Sequence, residues 1–116
     1  MPVSITPARF DELVSDALDR IPERFARAID NVVFLVEDRD PDDPHLLGVY
    51  VGTALDERDS QYAGMLPDRI MIFRAPLMEM CEDEDDLMHE IEVTVRHELG
   101  HYFGLDEDRL HELGWG

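Results

Sequence analysis

One segment of the 116-residue chain has residue types and a spacing that suit metal chemistry: His97-Glu98-Leu99-Gly100-His101. Residues four apart are neighbours on a helix surface, so the imidazoles of His97 and His101 can bind one metal ion. Zinc binds neutral imidazole nitrogens, and a catalytic zinc site keeps one position open for water. A glutamate beside the histidines can take a proton from that water as general base. The segment therefore predicts a zinc site with His97 and His101 as ligands and Glu98 as the base.

The residues around this segment predict a helix that holds both histidines on one face. Four acidic residues, 83–86, suit the positive N-terminal end of a helix. The apolar side chains that follow recur at helical spacing within an arc of roughly 80°, and they are Met88, Ile91, Val95, Leu99 and Tyr102. The histidines lie almost opposite, towards a cleft, and Gly104 is placed to end the helix in a left-handed conformation. The alternative interpretation of the motif is a solvated His/Glu face on an acidic helix.

The longer segment from His97 to Leu110 resembles the small bacterial zincin-like metallopeptidases known as mini-zincins, whose pattern is His-Glu-x-x-His-x-x-Gly-x-x-Asp. The resemblance is strongest over residues 67–113 and looser along the rest of the chain. It implies a third zinc ligand three residues after Gly104, where this sequence has Glu107 in place of aspartate. A glutamate is longer by one methylene and equivalent as a carboxylate ligand, with Asp108 and then Asp106 as the alternatives.

The resemblance also implies how a substrate would bind and what would lie beneath the metal. In zincins the substrate lies along an exposed sheet edge as an added β-strand. The related metzincins, with histidine as the third ligand, have a methionine-containing turn below the metal, and no methionine follows Gly104 here. We expect Trp115 beneath the site instead. A surface or dimer-contact tryptophan is the competing interpretation.

Apolar spacing and capping signals predict the elements that must position the motif. The predicted strands are residues 32–36, 46–51 and 70–73. An N-terminal helix over residues 6–29, broken at Pro22, precedes them. A helical turn from Pro76, the histidine helix and a terminal helix at about 106–113 follow. The first strand is a continuous apolar run, typical of a strand covered on both faces. Residues 52–68 form a loop longer than usual. We therefore expect an α+β fold, a zincin-like minimal domain with the N-terminal and active-site helices packed on a small mixed sheet of three or four strands.

The overall charge and the single cysteine limit the partners and the compartment. A formal net charge of −18 argues against nucleic acid and anionic membranes as partners and favours cations, metal ions included. The lone Cys81 can form no intramolecular disulfide and fits a buried thiol in a reducing compartment. With neither a signal-peptide pattern nor an apolar stretch near the roughly 20 residues of a membrane span, we expect one cytoplasmic domain over residues 1–116.

Three functions remain to be weighed. The first is a zinc metallopeptidase that hydrolyses a peptide or protein substrate, and the second is a zinc-binding or interaction module with weak turnover or none. The third is an acidic interaction protein without metal, and a homodimer is left open in each. Glu98 favours the first, since a structural zinc site needs no base. Glu90 and Thr94 project onto the histidine face. One interpretation is that they orient His97, and the favoured one is that both are solvated. The remaining histidines, His45, His89 and His111, are expected at the surface.

Overall fold

The structure, a computed structural model, describes residues 2–52, 54 and 66–112. The helices within these ranges are α1 Pro7–Asp19, α2 Glu23–Ala26, α3 Arg74–Met80, α4 Glu84–Tyr102 and α5 Glu107–Glu112. The strands are β1 Val32–Glu37, β2 Gly48–Val51 and β3 Asp68–Phe73. None of the helices in the described ranges has the length and apolar character needed to cross a membrane.

The three strands form one mixed sheet in the order β1-β3-β2. β1 runs parallel to β3, with Phe34 opposite Ile70, and β2 runs antiparallel to β3, with Tyr50 opposite the same residue. Because β3 lies in the centre, its inward-facing Ile70 and Ile72 are fully buried. The predicted α+β fold with a small mixed sheet is confirmed.

The core lies between one face of this sheet and the helices α1 and α4. Thr6 caps α1 by accepting a hydrogen bond from the Arg9 N–H at 3.1 Å, and Pro7 occupies the first turn. The core side chains with no exposed surface include Phe10 from α1, Leu77 from α3 and Leu110 from α5. Removing an apolar side chain of this size from water stabilises the fold by about 1.5–3 kcal/mol, so this layer fixes where α4 lies on the sheet.

The first strand differs from its prediction. Burial alternates along β1, and Val33 and Leu35 are 38% and 37% exposed. The expectation that both faces of this strand are covered is therefore wrong: among the described residues, helices cover only the inner face. Its outward side chains share a row with Arg69 and Met71 of β3, so the outer face of the sheet mixes apolar and charged groups.

Helix α4 begins and ends as the sequence predicts. Asp83 caps it by accepting a hydrogen bond from the Asp86 N–H at 2.8 Å, and its first turn is acidic. Two ion pairs attach its N-terminal half to α1, one between Arg9 and Glu84 at 2.8 Å and one between Arg20 and Glu92 at 2.6 Å. The C-terminal half of α4, which carries the His-Glu-Leu-Gly-His motif, lies beside β2 and is held by the fully buried Leu99 and Tyr102.

Candidate metal centre

The two histidines of the motif lie side by side on the last turns of α4. Their ring centroids are 4.7 Å apart, and the side chains of His97 and His101 are 31% and 40% exposed. The opposite face of α4 is fully buried, and its residues are Leu87, Ile91, Val95, Leu99 and Tyr102. Leu87 takes the place that the periodicity gave to Met88, which is half-buried. The predicted division between a core face and a histidine face is therefore present.

The chain reverses after α4 and returns α5 to the histidines. Gly104 has a φ of 78°, which favours glycine, and the Leu105 N–H donates to the Gly100 carbonyl at 2.9 Å. Asp106 then accepts a hydrogen bond from the Arg109 N–H at 2.8 Å, in the manner of a helix N-cap. Because its carboxylate caps α5, Asp106 is turned away from a ligand role, and the next residue, Glu107, faces the imidazoles.

Glu107 is the carboxylate that lies between the two imidazole Nε2 atoms. Its Oε1 is 3.3 Å from His97 Nε2 and 3.5 Å from His101 Nε2. Ligand atoms held by one tetrahedral zinc at its usual bond lengths lie about 3.3–3.6 Å apart. The Glu107 oxygen thus lies at such a separation from each of the two nitrogens, and the donor types are those that zinc accepts. Asp108 makes no contact with either imidazole within the described part of the chain.

Glu98 lies near the Nδ1 atom of the His101 ring, whereas Glu107 lies near its Nε2 atom. Glu98 is only 7% exposed, and its Oε1 is 3.1 Å from His101 Nδ1. Among the described residues, the donor atoms of His97, Glu98 and His101 all lie within 4.8 Å of one another, an arrangement that would make Glu98 a ligand. We favour Glu107, because Glu98 contacts the Nδ1 side of the ring whereas Glu107 faces both Nε2 atoms. An Nδ1–H donated to Glu98 would leave the Nε2 lone pair of His101 free for a metal.

Gly100, inside the motif, makes room for α5. A Cβ at this position would overlap Leu110 Cδ2 and lie 3.0 Å from Leu110 Cγ. Leu110 is itself fully buried, so its side chain has little freedom to move aside. The absence of a side chain at Gly100 therefore lets α5 pack directly on α4, which places Glu107 one turn away beside the histidines.

Gly48 plays a similar role at the start of β2. A Cβ there would lie 2.7 Å from Thr94 Cγ2, 3.0 Å from the Met71 carbonyl oxygen and 3.5 Å from Glu98 Cγ. The strand thus passes very close to the part of α4 that carries Glu98. The expectation that Thr94 is solvated is wrong, since β2 buries it to 6% exposure.

Comparison with known proteins places the fold and the motif in a family. A family model described as zincin-like metallopeptidase matches residues 29–115. The chain belongs to the zincin-like metallopeptidase family. Of the solved structures, a conserved hypothetical protein from Thermus thermophilus resembles this zincin-like chain with a TM-score of 0.58 and 25% identity, over 94% of this chain and 97% of that one. No curated protein matches the sequence.

The remaining predicted residues of this zincin-like protein fall into two groups. His45, His89 and His111 are exposed, as expected, and Cys81 is buried. Trp115 and residues 53 and 55–65 of the predicted loop lie outside the described residues. Sequence reasoning missed the contacts of Gly48 and Gly100, although a glycine inside a strand or a helix is a signal of close packing.

Proposed function

We propose that the protein is a zinc-dependent peptidase in which His97, His101 and Glu107 hold the ion and Glu98 is the general base. The observation that carries the proposal is the position of Glu107 Oε1, within 3.5 Å of the Nε2 atoms of both histidines. Zinc is the metal that the family implies, and two imidazoles with one carboxylate form a catalytic ligand set that leaves a position open.

The zinc, when bound, would polarise the scissile carbonyl and lower the pKa of a water molecule at the open position. Glu98 would accept the proton from that water and pass it to the leaving amine nitrogen. Its burial suits this task, because a carboxylate shielded from bulk solvent exchanges protons with the reacting groups beside it. Its contact with His101 Nδ1 would also fix the ring orientation of that ligand.

The strand β2 is the candidate for binding a peptide substrate. Among the strands of the described ranges, β1 and β2 are the outer ones, and β2 is the one that packs against α4, where Gly48 approaches Thr94 and Glu98. A peptide added to this edge would form main-chain hydrogen bonds with β2 and pass in front of the histidines. We infer that β2 is the strand that binds substrate, a choice that the sequence left open.

The test is peptide hydrolysis by the zinc-loaded protein, with Glu98→Gln as the matched variant. The amide keeps the size of the side chain and removes the base, so we expect zinc binding to be retained and kcat/KM to fall at least about 100-fold. Hydrolysis that survives Glu98→Gln undiminished would contradict the role of Glu98. Zinc binding without hydrolysis in the wild type would favour the alternative, a zinc-binding module without turnover.

A further inference from the structure

A cleft of about 380 Å³ runs along α4 from the proposed catalytic residues towards its N-terminal half. One wall is a stripe of α4 that includes Glu90, Val93 and His97, and the other wall is the segment of residues 43–48 that leads into β2. Glu98 also lines the cleft. A side chain of a substrate bound at the histidines therefore has a defined space to enter.

The walls of this cleft combine apolar and acidic side chains, together with His45 and Thr94. Leu46, Leu47 and Val93 line it with aliphatic groups, whereas Glu90 and Asp43 contribute carboxylates. No arginine is among its described lining residues, and the chain contains no lysine. The nearby Arg39 is held elsewhere, because it donates to the Pro44 carbonyl oxygen and pairs with Glu79.

Glu90 differs from the other glutamates of α4. Glu84 pairs with Arg9, Glu92 pairs with Arg20, and Glu98 contacts His101. Glu90 has no ion-pair partner within the described part of the chain, although it is half-buried. The Glu90 carboxylate is therefore available to a positive group that enters the cleft, and a charge that leaves water is stabilised by an opposite charge beside it.

The distance between Glu90 and His97 along α4 favours a substrate with a long side chain. Glu90 and His97 are seven residues apart, which is about 10 Å along a helix. An arginine or lysine carries an aliphatic stem that packs on apolar walls and a charged head at its end. A leucine or methionine would fill the apolar part and leave Glu90 without a partner.

We propose that this cleft is a subsite for a basic side chain of the substrate, arginine or lysine, with Glu90 as the carboxylate that binds its charge. The subsite rests on the proposed peptidase function, because it places this side chain next to the scissile bond. It assigns the substrate class as peptides with a basic residue beside the cleaved bond.

The experiment uses quenched fluorescent peptides that differ at one position beside the scissile bond, with arginine, norleucine or glutamate there. We expect zinc-loaded wild type to cleave the arginine peptide about tenfold more efficiently, in kcat/KM, than the norleucine peptide. Glu90→Gln is expected to reduce this preference below about twofold, because it slows cleavage of the arginine peptide more than cleavage of the norleucine peptide. The matched control is Glu92→Gln, which makes the same charge change on α4 at a residue paired with Arg20 and should keep the preference.

The outcomes separate this subsite from the peptidase proposal. Equal cleavage of the arginine and norleucine peptides, or a Glu90→Gln variant that slows both alike, overturns the subsite while hydrolysis itself stands. Absence of any cleavage by the zinc-loaded wild type overturns the peptidase function. The subsite is then decided by NMR titration with arginine amide: shifts of the Leu47 and Val93 amides that Glu90→Gln abolishes support it, and no shifts overturn it.

Discussion

The two long faces of α4 differ in what their residues contact. On the core face, Ile91, Val95 and Leu99 have almost no exposed surface and pack under the sheet. On the opposite face, His97 and His101 are about one-third exposed and contact carboxylates of α4 and α5. Apolar burial stabilises by kilocalories per side chain, whereas exposed polar pairs contribute about 0–1 kcal/mol. One helix thus carries stability on one face and the proposed chemistry on the other, so single substitutions can separate the two.

A few residues lie where the two faces meet. Glu98 and Thr94 are buried, yet both line the cleft beside the histidines. Gly100 belongs to neither face and contacts α5. These positions connect the core to the site, and they are where we expect a change in packing to alter metal binding.

The largest contrast is expected between Ile91→Ala and His97→Ala in the metal-free protein. Truncation of the fully buried Ile91 leaves a cavity in the core and should lower the free energy of unfolding by about 2–5 kcal/mol. Loss of the half-exposed His97 should cost less than about 1 kcal/mol. Urea unfolding with a chelator present measures both. Equal losses of unfolding free energy in the two variants would show that the histidine face contributes to stability as much as the core face does.

The identity of the third ligand gives the next contrast, between neighbouring carboxylates. Glu107→Ala removes the oxygen that lies between both Nε2 atoms, and we expect zinc affinity to fall about 100-fold or more, because even outer-shell changes cost 10–100-fold. Asp108→Ala should change the affinity less than about twofold. Calorimetric zinc titration of both variants decides, and the reverse order would assign the ligand to Asp108.

A smaller effect is expected where α5 packs on α4. Gly100→Ala introduces a methyl group that overlaps Leu110, so α5 must shift and carry Glu107 with it. We expect about 1–3 kcal/mol of lost stability and roughly tenfold weaker zinc binding. The double variant Gly100→Ala/Leu110→Ala should recover zinc affinity relative to Gly100→Ala, with Leu110→Ala alone as the control. A double variant that binds zinc no better than Gly100→Ala would refute this role of Gly100.

The smallest effect is expected for Cys81, a core residue whose thiol pKa is raised by burial and in part by acidic residues at and after the N-cap of α4. Burial, and then the carboxylates of Glu90, Asp86 and Asp83, raise the pKa of its thiol to about 11 from an ordinary 9.0. Because the folded-state pKa is raised, the stability that the thiol contributes is intact below pH 9 and is lost as the pH rises towards 11. Wild type should lose about 1 kcal/mol between pH 8 and pH 10 relative to Cys81→Ala, measured by urea unfolding. If the free energy of unfolding depended on pH in the same way in wild type and in Cys81→Ala, the result would contradict the raised pKa of the thiol.

Local signals in the sequence were sufficient for the helices and the motif. The caps at Thr6 and Asp83 lie next to the helices that they begin, and the apolar residues of α4 repeat at the helical period. The covering of β1 could not be predicted in the same way. An apolar run looks alike whether one face or both are buried, and the answer depended on the helices of the described residues, which pack on the inner face of the sheet alone.

The sequence supplied the candidate ligands of the site, whereas the residues that support them emerged only from the structure. Spacing and resemblance pointed to Glu107 among three acidic neighbours, and the cap that Asp106 forms on α5 is a contact that the sequence pattern did not reveal. The burial of Thr94 depends on Gly48, a residue distant in sequence that strand pairing brings to α4. Long-range packing of this kind leaves no periodic signal.

The metal centre is tested by the number of zinc ions bound per chain by wild type and by His101→Ala, measured by calorimetric titration. We expect one ion per wild-type chain and none bound with comparable affinity by His101→Ala, whose metal-free fold should remain intact. Wild type that binds no zinc, or His101→Ala that binds it as tightly as wild type, would contradict a metal centre built on the histidine face of α4.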